Sequence, residues 1–276
     1  MKPAPFDYMR PRDTSEAIAA LAQGGGEAKL IAGGQSLGPM LNLRLARPKL
    51  LIDISGLEAL RTMDEESEAW RLGAAVTHAR IEDRRHDFRG CPLLPTVARD
   101  IAFRSVRNRG TVGGSMAHAD PAADWPLALA ALGATLLLQG PGGDREIPAD
   151  DFMAAAFTTA LRDDEMIAAV RVPKFSPSAR FGYFKFCRKV GEFPEASGAA
   201  VFDPETRIAR VFVGALSGAP ASLPGLARDV AERGSPAVTA EAVLAAVTAA
   251  APTLSIIEQR MHAETVRRAL RQILPT

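Results

Sequence analysis

The sequence predicts an α/β region reaching to about residue 174, followed by a smaller α+β domain. Three observations carry this. The first half alternates short apolar runs with helical patterns, the sign of β-α-β units. Phe175-Ser176-Pro177-Ser178 is a Pro- and Ser-rich break between two strand patterns. Beyond it, strand patterns come first and helical stretches last. A chain of 276 residues, at roughly 150 per domain, fits about two domains and buries a core without staples.

Asp13-Thr14-Ser15-Glu16, with Ala17, Ile18 and Leu21 behind it, reads as a capped helix that Gly24-Gly25-Gly26 ends. Ala28 to Ala32 is a strand broken by Gly33-Gly34. Met40, Leu41, Leu43 and Leu45 suggest a short helix closed by Pro48, and Lys49 to Asp53 is a second strand. Helix between strands gives a β-α-β unit. Arg71 to Val76 reads as a strand, and Arg80 to Asp87 and Leu93 to Ile101 as helices. Ala122 to Leu132 is an apolar, buried helix ended by Gly133; Ala134 to Gln139 and Met166 to Val172 are strands. After the break come strands at Arg180 to Arg188, Ala196 to Phe202 and Ile208 to Ala215. Helices follow at Glu241 to Ala250 and His262 to Ile273. No solenoid-type repeat is present.

Lys plus Arg number 33 and Asp plus Glu 32, a net charge of +1. Nucleic acid or an anionic membrane would call for a basic excess or stripe, so neither is an expected partner. Cys91 and Cys187 are the only cysteines, too few for a disulfide framework or a four-thiolate metal site. The start of the chain lacks a signal-peptide core, and the longest apolar stretch, Trp125 to Leu138, falls short of the ~20 residues a span needs. The expectation is a cytoplasmic protein without a membrane span.

Two glycine loops carry the chemistry. Ile31-Ala32-Gly33-Gly34-Gln35-Ser36-Leu37 and Gly110-Thr111-Val112-Gly113-Gly114-Ser115 each pair two glycines with a following polar side chain. Without Cβ atoms, consecutive backbone N–H groups can form an anion-binding nest, and a following helix adds its positive end. Two such nests suit a diphosphate; a single Gly-Gly pair is also a common tight turn. Neither loop fits G-x-G-x-x-G, and no P-loop motif occurs. A rival lies in the first loop: Gly34-Gln35-Ser36-Leu37-Gly38 matches the G-x-S-x-G nucleophile elbow of serine hydrolases. With one clear strand before it, Ser36 comes early for that role, and His78, His86, His118 and His262 carry no distinctive motif.

Ala32-Gly33-Gly34-Gln35-Ser36 and Thr111-Val112-Gly113-Gly114-Ser115, in this order, resemble the paired FAD-diphosphate loops of the molybdenum hydroxylase flavoproteins. The likeness is strongest to the medium subunit of the carbon monoxide dehydrogenase type, with the xanthine dehydrogenase flavin domain more distant. It runs through Phe6-Asp7-Tyr8, Leu43-Arg44-Leu45-Ala46, Arg107-Asn108-Arg109-Gly110 and His118 to Asp124. It continues through Lys185-Phe186-Cys187-Arg188-Lys189 to Arg267-Arg268-Ala269.

The resemblance implies an FAD domain over 1–174, made of two α/β subdomains (about 1–55 and 56–174) of the PCMH/vanillyl-alcohol-oxidase-like kind. A C-terminal α+β domain over 179–276, with a small antiparallel sheet and helices, would follow. By position, Leu30, Ile31, Ala32, Gly33, Gly34, Gln35, Ser36 and Leu37, with Thr111, Val112, Gly113, Gly114 and Ser115, would hold the diphosphate and flank the flavin. Asp124 would bond ribityl or ribose hydroxyls, Ile101 and Ile167 would pack on the cofactor, and Lys185 would lie near it. Residue chemistry alone leaves Asp124 open as a helix N-cap and Lys185 as a salt-bridge partner of Glu192. His118-x-Asp120 has too few ligands for a metal site. Ser115 stands where many relatives carry Asn, Ala102-Phe103 where Gly-His is frequent, and Glu192 and Pro194 replace an Asp and a small residue.

The role implied is an electron-transfer flavoprotein subunit, with no catalytic residue and no metal ligand of its own. The molybdenum cofactor would sit on a large partner and [2Fe–2S] clusters on a small one, as a dimer of heterotrimers. The two-cysteine count fits that division and argues against relatives that carry a four-iron cluster in the flavin subunit. The alternatives are a serine hydrolase using Ser36 and a stand-alone FAD or nucleotide-binding module.

Overall fold

In the computed structural model, which describes residues 2–83, 88 and 90–274, the chain forms three principal sheets in sequence order. The first segment runs β1 (Asp7–Met9), α1 (Thr14–Gln23), β2 (Ala28–Ile31), α2 (Leu37–Asn42), β3 (Leu50–Asp53). Its three strands lie in the order β1-β3-β2, all parallel, with β2-α2-β3 as the expected β-α-β unit. The Asp13 carboxylate accepts the Glu16 N–H at 2.8 Å, which caps α1 and turns Ala17 and Leu21 onto the sheet.

The second segment holds β4 (Met63–Glu65), β5 (Ala69–Gly73), α3 (His78–Glu82), α4 (Leu93–Asp100), α5 (Arg104–Arg107), α6 (Val112–His118), α7 (Asp124–Ala131), β6 (Thr135–Gly140), β7 (Gly143–Pro148), α8 (Ala149–Phe152), β8 (Met153–Ala155), β9 (Thr158–Thr159) and β10 (Met166–Pro173). Its five-stranded sheet, β4-β5-β10-β6-β7, is antiparallel throughout. Every residue of α7 is buried, which explains why its sequence is apolar on all sides. Trp125, fully enclosed, stands in the main core with Leu72, Leu94, Leu127 and Leu136.

The third segment contains β11 (Arg180–Phe186), β12 (Ala196–Asp203), β13 (Ile208–Gly214), β14 (Ala221–Ser222), α9 (Pro224–Arg233), α10 (Ala240–Ala250) and α11 (Ile256–Ile273). The four strands form one antiparallel sheet in sequence order. Strand alternation divides its side chains: Ala199, Val201 and Phe212 join the core around α7, while Ala200, Val211 and Val213 pack under α9, α10 and α11. Between β10 and β11 no helix or strand forms. There the Ser176 N–H and hydroxyl donate to Asp203 at 2.9 and 2.6 Å, and Phe175 meets Phe181 edge-on at 5.1 Å.

The α/β plus α+β architecture expected from the sequence is present. The differences are local. The strand expected at Arg71 to Val76 lies at Ala69–Gly73. Of the helix expected over Arg80 to Asp87, α3 ends at Glu82, and 84–87 lie outside the described residues. Strand β7 went unanticipated because its sequence is polar and exposed, as suits a sheet edge. Helix α11 begins six residues before the expected His262, at a complete Ser255–Glu258 capping box. Gly113 and Gly114 belong to the first turn of α6, not to an open loop.

Helix α11 crosses the sheet at Gly182, where a Cβ would stand 2.0 Å from the Ala269 carbonyl oxygen. Gly182→Ala is expected to destabilise the protein by about 2–3 kcal/mol, read as a lower Tm in thermal unfolding. Gly218→Ala, with open space around it, is expected to stay within ~0.5 kcal/mol of the parent.

Candidate functional site

At the end of β2 the chain turns through 32–36 and enters α2. Gly34 takes the left-handed conformation, φ +68°, that the turn requires. Gln35 folds its side-chain amide back to donate to the Gly33 carbonyl at 3.1 Å. Ser36 occupies the cap position of α2 without a side-chain capping bond. Among the described residues, the N–H groups of Gly33, Gly34, Gln35, Ser36 and Leu37 have no hydrogen-bond partner. The first loop is therefore a run of open donors. The side chains of Leu30, Ile31, Ala32 and Leu37 pack into the small cores beneath, so this segment offers backbone.

The second glycine pair is built differently. The Thr111 hydroxyl caps α6 by accepting the Gly114 N–H at 3.0 Å, and the Thr111 carbonyl accepts the Ser115 N–H at 3.0 Å. Val112 and Gly113 donate to the carbonyls of Val76 and Ala74 at 3.1 and 3.0 Å. Gly113 is required by packing, since its Cβ would stand 2.5 Å from that of Ala74. Of the two glycine loops, only the first leaves its N–H groups open. The second is a rigid shelf whose donors are occupied; Gly114 is exposed and Ser115 half-buried.

The two loops meet at Gly33, where a Cβ would lie 2.0 Å from the Arg109 carbonyl oxygen and 2.9 Å from Gly110 Cα. Behind Gly110 stands His78, whose backbone N–H donates to the Gly110 carbonyl at 2.9 Å. The Trp125 indole donates to His78 Nδ1 at 3.0 Å, which requires that nitrogen to be unprotonated. Burial, helped by the Arg107 charge, lowers the His78 pKa to about 3. Sequence reasoning gave His78 no role; its partner is 47 positions away, and no local pattern marks it.

Asp124 is the first residue of α7, and its side chain does not cap the helix. Its Oδ1 accepts the Tyr183 hydroxyl at 2.5 Å and the Lys185 ammonium at 2.8 Å. Lys185 also donates to the Asp100 carbonyl at 2.7 Å. Both alternatives open in the sequence, an N-cap at Asp124 and a Lys185–Glu192 bridge, give way to this buried pair. Burial raises the Asp124 pKa against the lowering influence of Lys185 and Tyr183. Burial and the Asp124 charge together push Tyr183 well above its ordinary value. No hydrogen bond reaches Asp124 Oδ2 among the described residues.

Ile101 is half-buried at the end of α4, next to Asp100. Arg107 holds its turn by donating to the carbonyls of Ile101 and Ala102 at 2.9 and 2.8 Å, while pairing with Glu82 at 2.8 Å. Gly191 backs onto the same turn, a Cβ there standing 2.9 Å from the Ala102 carbonyl oxygen. Ile167 is 5% exposed and belongs to the main core. The fold therefore joins the two loops through Arg109–Gly110, and it joins Asp124 to Lys185 beside Ile101. Sequence reasoning missed Tyr183, although it lies two residues before Lys185 on β11, a spacing that puts both on one face of the sheet.

The serine-hydrolase alternative finds no support. Ser36 has φ −102°, without the strain of a nucleophile elbow, and its hydroxyl makes no hydrogen bond among the described residues. His78 Nδ1 is occupied, His262 is buried on α11, and the His118 ring lies tilted against Phe157 at 5.3 Å; His86 lies outside the described residues. An open groove of about 1150 Å³ between β13 and α9, lined by Arg207, Arg210, Arg228 and Glu232, contains none of the site residues expected from the sequence.

Residues 4–175 match the family described as the FAD binding domain in molybdopterin dehydrogenase. The chain is 36% identical over 220 residues to the 6-hydroxypseudooxynicotine dehydrogenase complex subunit alpha of Paenarthrobacter nicotinovorans, covering 79% of this chain and 74% of that one. It is 40% identical over 201 residues to the carbon monoxide dehydrogenase medium chain of Hydrogenophaga pseudoflava, covering 73% and 70%. A chain of reconstituted CO dehydrogenase from Oligotropha carboxidovorans superposes with a TM-score of 0.91 at 28% identity, covering 99% of both.

His78 sets a pH dependence. Its folded pKa of about 3 lies below the ordinary 6.5, so the unfolded chain takes up the proton first. This contribution to stability is complete above 6.5 and is lost as pH falls towards 3. NMR titration of the imidazole is expected to show His78 neutral across that window. A ring that protonates near 6.5 would contradict the Trp125–His78 hydrogen bond.

Proposed function

Because the chain belongs to the family of FAD-binding domains of molybdopterin dehydrogenases, we propose that it is the electron-transfer subunit of a molybdenum-containing hydroxylase. In this reading, substrate is oxidised at a molybdenum cofactor on a large partner, and electrons arrive through [2Fe–2S] clusters on a small partner. They leave from this chain to an external acceptor. The chain contains two cysteines, too few for a four-thiolate cluster, which supports placing the iron–sulfur relay on another subunit. A dimer of heterotrimers is the assembly proposed. The free thiols of Cys91 and Cys187 support a reducing, cytoplasmic setting.

The observation that carries the reading is the run of open N–H groups from Gly33 to Leu37, at the head of α2 and on a segment the family profile covers. Donors of this kind fit a diphosphate. Bound FAD supplies two-electron chemistry that divides into single-electron steps, while the protein supplies binding, orientation and electrostatics. Gly33 to Leu37 hold the diphosphate, and Thr111 to Ser115 form the shelf beside the flavin. Asp124 Oδ2 accepts from ribityl or ribose hydroxyls, and Lys185 keeps that carboxylate ionised. Ile101 and Ile167 furnish apolar surface. The domains proposed are 1–174, with the cofactor segments in two subdomains divided near residue 55, and 179–276, which contributes Lys185.

The test is flavin content. The purified chain, or its complex with co-expressed large and small subunits, is expected to release FAD on denaturation. Ser36→Asp places a carboxylate on the open donors and is expected to weaken FAD binding at least about tenfold, a loss of ~1.4 kcal/mol. Ser36→Ala is expected to keep the flavin. A colourless wild-type chain that does not take up added FAD would refute the assignment, and equal affinity in Ser36→Asp would refute the role of the first loop.

A further inference from the structure

We propose that Tyr183 positions Asp124 for the cofactor, so that a hydroxyl from the C-terminal sheet sets the direction of a carboxylate in the N-terminal half of the site. The inference rests on the reading above in which Asp124 faces FAD hydroxyls.

Tyr183 and Lys185 lie two apart on β11 and so share a face of the sheet. Both donate to the same oxygen, Asp124 Oδ1, at 2.5 and 2.8 Å, and Oδ2 receives no bond from the described residues. A carboxylate held by two donors on one oxygen presents the other in a fixed direction. The two donors act differently. Lys185 is a flexible point charge on a long stem, also anchored to the Asp100 carbonyl at 2.7 Å, and it can follow the carboxylate if Asp124 turns. The tyrosine hydroxyl sits on a rigid ring that is 7% exposed within the main core, so it fixes one orientation. Lys185 provides the charge and Tyr183 the direction.

The groups facing Asp124 are Lys185 and Tyr183 from β11 and Asp100 from the end of α4; Cys187, further along β11, stands near Tyr183. Burial and Asp100 favour the protonated carboxyl, while Lys185 and Tyr183 favour the ionised one. Loss of the tyrosine hydroxyl therefore raises the pH at which the carboxylate is lost.

The experiment titrates FAD into the full-length apo chain, followed by flavin fluorescence, for wild type, Tyr183→Phe, Asp124→Asn and the double variant across acid to neutral pH. Tyr183→Phe is expected to bind FAD about tenfold more weakly, in the range of a hydrogen bond to a charged group. Its acid loss of affinity is expected at higher pH than in wild type. In the Asp124→Asn background the same change is expected to add little, because its effect passes through Asp124. Wild-type affinity and pH profile in Tyr183→Phe, or fully additive losses, would overturn the proposal. If Asp124→Asn binds FAD as wild type does, the contact between Asp124 and the cofactor fails, and this inference fails with it. If Asp124→Asn weakens binding and Tyr183→Phe does not, only the positioning role fails. Should Asp124→Asn not fold, the pH profile of Tyr183→Phe decides alone.

Discussion

A close backbone approach at Gly33 holds the candidate site together. A side chain there would put Cβ 2.0 Å from the Arg109 carbonyl oxygen, so only glycine lets the turn after β2 rest against the entry to α6. That contact is braced from behind. The Trp125 indole bonds the His78 ring, the His78 backbone N–H bonds the Gly110 carbonyl, and Gly110 touches Gly33. The chain of contacts runs from the centre of the main core to a solvent-facing turn. It gives the open donors of the first loop a fixed frame, which an anion site needs if ordering cost is not to consume its affinity.

The buried carboxylate of Asp124 ties the halves of the molecule by a different force. An isolated ion at 7% exposure would lose several kcal/mol of hydration, and the structure answers with Lys185 and Tyr183. Lys185 reaches the end of α4 as well, so one ammonium joins α4, α7 and β11. Apolar packing of Ala199 and Val201 from β12 and Phe212 from β13 around α7 supplies adhesion beside it.

Much of the fold was readable in the sequence where apolar period or capping chemistry decides structure. The Asp13 cap and the strands β2 and β3 were legible, as were α7, apolar throughout after Asp124, and the alternation in β11 to β13. Elements that depend on neighbours were not. Strand β7 has no apolar period because its environment is a solvent-facing edge. The glycine pair 113–114 reads as a loop by local propensity, yet it opens a helix capped by Thr111, and Gly113 is glycine because Ala74 packs where a Cβ would stand. The partnership of Asp124 with Lys185 spans 61 positions, and no local rule connects them. Cofactor identity came from a likeness to a family that begins at two glycine motifs and runs along the chain; elementary chemistry alone reached only a diphosphate between two glycine turns.

In the proposed site, the diphosphate of FAD rests on the open N–H groups from Gly33 to Leu37 and not on those of the second glycine pair. Amide hydrogen exchange on the full chain, with and without FAD, tests it directly. Exchange at residues 33–37 is expected to slow strongly when FAD binds. The N–H groups of residues 112–115, already bonded within the protein, are expected to exchange slowly in both states. Unchanged exchange at residues 33–37 in the FAD-bound chain would contradict the account.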